Sequence, residues 1–171
     1  MTIAASILPE FEHEMAGTRK VLQRVPNDKL NWKAHPKSNT IGWVAAHLVE
    51  IPGWVEGTLT QTSWDINPVG GEPYGTPPAE SREQLLALFD KNVAAARKAI
   101  AATSDQDFMV PWSLLSGGDT LITIPRIAVI RTFVLNHAIH HRAILCVYLR
   151  LNDIPVPALY GNSGDEQWES G

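Results

Sequence analysis

Residues 133–151 read FVLNHAIHHRAILCVYLRL, and the fold turns on which way their histidines face. Three of the six histidines in the chain, His137, His140 and His141, fall in this run. At 100° per residue on a helix, His137 and His141 lie about 40° apart, one turn from each other on the same face. Ile130, Phe133, Val134, Ile144 and Tyr148 fall within about 60° of that direction, which makes it the buried side. His140 lies on the flank, about 60° from His137, and Arg131 and Arg142 lie on the side. The spacing predicts a helix over 125–151, with Pro125 at the first position, where its missing N–H costs little.

A second segment repeats the pattern. In TIGWVAAHLVE, residues 40–50, His47 shares a stripe with Trp43, Val44, Ile51 and Trp54. The helix is expected over 40–59, with a kink near His47 because Pro52 cannot donate to the Leu48 carbonyl. Two helices thus present core-facing imidazoles, one singly and one as an i, i+4 pair. An apolar wall satisfies neither ring nitrogen, whereas a divalent cation takes up three converging lone pairs. Three histidine ligands at about 2.0–2.1 Å leave a coordination position open for water or substrate. Spacing alone does not show which faces meet, so separately hydrogen-bonded core histidines remain the alternative. Trp43, Trp54, Phe133 and Tyr148 are the expected pocket lining. Glu50 and His140 flank the ligands as candidates for supporting them or moving protons.

Two further helices are expected, over 6–24 with Ser6 as N-cap and over 81–102 with Ser81 and Gln84 at capping-box spacing. Between the second and third helices, residues 61–80 form a long Pro- and Gly-rich loop, a length that is often functional. Before the fourth helix, FMVPWSLLSGGDTLITI (108–124) predicts a small β-hairpin around Gly117–Gly118, with Pro111 confining its run to an edge. The tail, 152–171, is too Pro-rich for helix and is expected to lie extended. One domain, 1–171, built as an all-α four-helix bundle, accounts for these elements.

Composition narrows the function. Net charge is −4 with no cluster of Lys or Arg, which excludes a broad nucleic-acid footprint. No stretch reaches the roughly 18–20 apolar residues of a membrane span. The N-terminal stretch reads as neither signal peptide nor anchor, and a single cysteine, Cys146, suits a reducing cytoplasm. Leu135, Ile139 and Cys146 make the outward side of the fourth helix apolar too, which predicts a homodimer.

NHAIHHRAILCVYLRLNDIPVPALYG, residues 136–161, resembles the C-terminal signature of the DinB-like (DinB/YfiT) family, and TIGWVAAHLVE resembles its first histidine segment. The sequence departs from that pattern at Ala143 and Ile144, where Gly-Gln is usual, and at Asn152-Asp153, which replaces Leu-Gly; none of these is a ligand. The resemblance implies an up-down-down-up four-helix bundle, often homodimeric, holding one divalent metal through His47, His137 and His141. Histidine nitrogen suits Zn, Ni, Cu and Fe alike. The wider superfamily includes S-transferases and isomerases that use low-molecular-weight thiols. The leading expectation is therefore a metal-dependent enzyme activating such a thiol against a small electrophilic substrate. The alternatives are a hydrolase using metal-bound hydroxide and a metal-binding stress-response protein without turnover.

Overall fold

The computed structural model describes residues 1–168; the end of the tail, 169–171, lies outside the described residues. The chain is mostly helical with a small three-stranded sheet. Helix α1 (Ile3–Leu22) starts earlier than expected. Thr2 is its N-cap, its hydroxyl accepting the Ala5 N–H at 3.1 Å, because Ala4 and Ile7 continue the buried face toward the N-terminus. Ser6 is therefore inside the helix, and Pro9 is an exposed interior residue rather than a first-turn one.

Helix α2 (Ile41–Glu50) is capped by the Thr40 hydroxyl, which accepts from the Trp43 N–H. Pro52 ends it in a 3-10 turn, Ile51–Gly53, after which α3 (Trp54–Thr60) resumes. The Asn92 amide donates to the Val49 carbonyl at 2.9 Å, meeting an acceptor at the break. Ser81 caps α4 (Arg82–Ala102) through the Gln84 N–H, as its spacing predicts. A short α5 (Asp105–Phe108) follows.

The expected hairpin is two strands of a three-stranded sheet. Strand β1 (Ser63–Asp65) comes from the long loop and pairs parallel to β2 (Pro111–Ser116), which pairs antiparallel with β3 (Asp119–Pro125). Pro111 thus opens the central strand, not an edge strand. It is tolerated because β1 reaches only to Ser113, so no ladder bond is asked of it on that side. Gly117 and Gly118 turn the hairpin with φ of +64° and +87°, the left-handed region glycine enters without penalty. The final helical stretch is composite: α6 (Arg126–Val129), a π-helical segment Ile130–Asn136, and α7 (His137–Arg150).

Helix α1 packs on α4 and α7, and α2 packs on the same two, enclosing one core around Phe11, Met15, Leu48, Phe89 and Leu145. Arg142, read from the wheel as a lateral residue, is buried at 2% exposure. The tail turns back over it. Arg142 donates to the Glu14 carboxylate at 2.6 Å and to the Glu14 carbonyl at 2.8 Å, while the Tyr160 hydroxyl donates to the same carboxylate at 2.6 Å. The same fold-back corrects the expected outward apolar side of α7. Leu135 is buried, and Ile139 and Cys146 face a groove whose other wall is the tail between Val156 and Ser163. No helix among the described residues is long and apolar enough to cross a membrane.

Removing one partner of a buried pair leaves an uncompensated charge. Arg142→Ala is therefore expected to lose roughly 3–5 kcal/mol of unfolding free energy in urea titration. Tyr160→Phe, which removes the hydroxyl's bond to Glu14 and the one it accepts from Arg142, should lose only about 1–2 kcal/mol. Equal losses would mean that burial of the ion pair is not what holds the tail.

Candidate metal centre

The histidines placed on one face by spacing meet in space. Helix α2 delivers His47, its seventh residue, and α7 delivers His137 at its first position and His141 one turn later. Their ligand nitrogens lie within 4.8 Å of one another, a group able to hold a metal ion. The Nε2 atoms of His47 and His137 are 3.3 Å apart, and those of His137 and His141 are 2.9 Å apart. Nitrogens bound tetrahedrally to a common ion stand about 3.3 Å from each other. The donor set therefore fits a divalent cation with only small closure or opening.

The protonation of the site follows from Glu50. Its Oε1 is 2.6 Å from Nδ1 of His47, and it also accepts the Thr76 hydroxyl at 2.7 Å and the Tyr74 hydroxyl. Burial raises the affinity of this carboxyl for a proton, but the three hydrogen bonds outweigh it and hold Glu50 below the usual carboxylate range. An ionised carboxylate only accepts, so His47 carries its proton on Nδ1 and turns the Nε2 lone pair toward the other two rings. Tyr74 is raised in turn, by burial and by its bond to Glu50, and stays a phenol.

His137 and His141 are kept neutral differently. Burial, and then the proximity of His47, push His137 below its ordinary range. Burial, and then the imidazoles of His47, His137 and His140, push His141 down to about 3. The Nδ1 atoms of both rings are buried with no hydrogen-bond partner among the described residues. His137 and His141 thus offer lone pairs rather than protons at neutral pH, the state a metal requires.

The sequence model of the DinB superfamily matches residues 10–145. The chain belongs to the DinB superfamily. Over 93% of its length, and 98% of the other chain, it is similar to the crystal structure of a DinB-like protein from Bacillus cereus, at 25% identity and a TM-score of 0.71. A DinB-like protein of Bacillus subtilis, YjoA, shares the fold at 14% identity and a TM-score of 0.67, over 90% of this chain and 97% of its own. Among functionally curated proteins none matches the sequence.

In this member of the superfamily a chamber of about 160 Å³ adjoins the triad, with His47 and His137 in its wall. Trp54 and Phe133 line it. Trp43 supports it from behind, stacked on the His47 ring at 4.7 Å between centroids. Tyr148 lies elsewhere, edge-on to Trp32; two turns beyond His141 is too far along α7 to reach the chamber. His140 is exposed, its ring centroid 4.9 Å from that of His141 and outside the chamber wall.

Other wall residues escaped the sequence reading. Tyr74 comes from the long loop, Ile66 follows β1 and Leu114 belongs to β2; Thr76, also from the loop, donates to Glu50 and is not in the wall. The only signal for the loop residues was the length of the loop. Asp65 secures that loop by accepting from the N–H groups of Asn67, Gly117 and Gly118.

The lowered affinity of His141 for protons predicts an acid-sensitive apoprotein. In the unfolded chain this imidazole protonates near 6.5, and in the fold only near 3. Between those values the unfolded state holds the extra proton, so stability falls as pH falls through the window and is unaffected above it. Chelator-treated protein should lose thermal midpoint from about pH 7 to about pH 4, and His141→Gln should lose less. Parallel curves for the two proteins would remove His141 as the cause.

Proposed function

We propose that this protein is a metal-dependent enzyme that activates a low-molecular-weight thiol and joins it through its sulfur to a small electrophilic substrate. The observation that carries this reading is the placement of His47 and His137 in the wall of an apolar chamber. A storage or structural site has no use for a chamber beside its ligands, whereas an enzyme needs a dry place for substrate there. When bound by His47, His137 and His141, a divalent cation such as Zn, Ni or Fe supplies positive charge that favours thiolate over thiol.

The chain's own residues do the rest. Glu50 fixes the His47 tautomer and orientation, and its lowered proton affinity makes it a positioning residue rather than a base. The chamber holds the electrophilic carbon near the ligand nitrogens and keeps bulk water from it. The sulfur attacks that carbon: the carbon–sulfur bond forms as the carbon's bond to its leaving group breaks, the leaving group departs with the bonding pair, and the thiol proton passes to solvent. The same charge on a water molecule would support hydrolysis, the second reading.

Protein purified without an affinity tag or chelating column is expected to carry metal near one equivalent per chain by elemental analysis. His137→Ala should lose it, and Glu50→Gln should weaken metal affinity roughly 10–100-fold. Metal-loaded protein should conjugate glutathione, bacillithiol or mycothiol to a model electrophile. Thiol-independent ester cleavage would favour the hydrolase. Metal without either activity would leave a non-enzymatic metal-binding role.

For the whole chain we propose a single-domain, up-down-down-up four-helix bundle that pairs as a homodimer. Val147 and Leu151, 56% and 59% exposed near the end of α7, support a covered face there. Light scattering should give twice the mass of one chain; a monomer at working concentration would rule the dimer out.

A further inference from the structure

The chamber beside the triad is specific in size and in charge. Five aromatic side chains, Trp54, Trp64, Tyr74, Trp112 and Phe133, share its wall with Leu114, Val129 and Val134. Among the described residues that line it, none is Lys, Arg, Asp or Glu. The carboxylate of Glu50 turns its Oε1 toward His47, Tyr74 and Thr76, and Glu50 does not line the chamber. A charged group in the chamber would give up its hydration with no side-chain partner for its charge, a cost that excludes it unless it sits on the cation itself. An apolar cavity of about 150 Å³ takes up one benzene ring, and this one measures about 160 Å³.

We infer that the chamber selects a neutral substrate built on a single aromatic ring. This rests on the enzymatic reading of the site and names its substrate class. Edge-to-face and offset contacts with the indole and phenol rings hold such a ring, and these contacts favour it over an aliphatic chain of the same volume.

A second chamber of about 210 Å³ adjoins the first, sharing Trp54, Thr58, Trp64 and Trp112. It is walled also by Gly57, Gln61 and Ser63, which suit the polar portion of a ligand rather than the ring. A Cβ added at Gly57 meets nothing within 4 Å, so a larger side chain there fills the second chamber without disturbing the core.

The test is binding of simple ring probes to the full chain after chelator treatment, read by thermal midpoint and by NMR. Toluene should raise the midpoint and show intermolecular NOEs to the methyl groups of Leu114, Val129 and Val134. Benzoate and benzylamine should bind at least tenfold more weakly, and biphenyl should give no NOEs to those methyls. Gly57→Leu should leave toluene binding unchanged, while Leu114→Trp should abolish it. Should Leu114→Trp fail to fold, the NOEs in the unaltered protein decide the location. Equal or tighter binding of benzoate in the chelated protein, or loss of toluene binding in Gly57→Leu, would overturn the assignment.

His141 does not line the chamber, so His141→Ala should lose metal and still bind toluene. That variant separates the two readings. Toluene binding without any metal site sinks only the enzymatic proposal, and a metal site without toluene binding sinks only the substrate class.

Discussion

Three imidazole lone pairs aimed at one point inside a hydrophobic core are the constraint on which the rest of this structure depends. Side by side they repel, and a neutral pair can share only one proton. The core nonetheless brings Nε2 of His137 to 2.9 Å and 3.3 Å from its two neighbours. An arrangement in which ring nitrogens face each other and two Nδ1 atoms stay without partners is costly for a fold that needs only to be stable. It becomes favourable when one cation satisfies all three lone pairs. The surrounding apolar side chains raise both the cost and the gain, because low local polarity strengthens every charge interaction in the site.

The three ligands are not equivalent. His47 is fixed from both sides: Trp43 stacks on its ring, and the Glu50 carboxylate holds its Nδ1 proton. His137 and His141 have no such anchor and are positioned by the backbone of α7. That backbone is continuous across both residues, so their one-turn spacing is rigid. The irregular segments lie just outside, a π-helical turn ending at Asn136 and a 3-10 turn beginning at Ile51. Both helices are regular where they carry ligands and irregular next to them. At the first break the chain turns from α2 into α3, which sets Trp54 and Thr58 into the chamber wall. The second precedes His137 and sets Phe133 and Val134 there.

What sequence reading could reach follows the range of the interactions involved. The i, i+4 pair and the apolar stripe of His47 are local patterns, and periodicity alone selected the three residues that the fold brings together. The Ser81 cap and the Pro52 break are local as well. Contacts between residues distant in the chain left little trace. Arg142 and Glu14 are 128 positions apart, and nothing in either helix announces that the tail will bury them together. Tyr74 and Thr76 lie in a loop without periodicity, and β1 is too short to stand out from it. Asp153 was visible only as a departure, standing where the resembled pattern has glycine. The structure gives it a φ of +58°, so the glycine-like backbone persists although the residue does not.

The long loop joins these threads. Its Tyr74 and Thr76 donate to the same oxygen of Glu50 that receives the His47 proton. Its Trp64 and Ile66 close the chamber, and Asp65 fastens it to the hairpin turn through backbone N–H groups. One carboxylate oxygen therefore links the order of a surface loop to the orientation of a ligand ring. A loop displaced from Glu50 would leave that oxygen with one donor instead of three, raise its affinity for a proton, and loosen its hold on the Nδ1 hydrogen of His47. Closure of the chamber and preparation of the first ligand are thus parts of a single hydrogen-bonded unit, and neither can be lost without weakening the other.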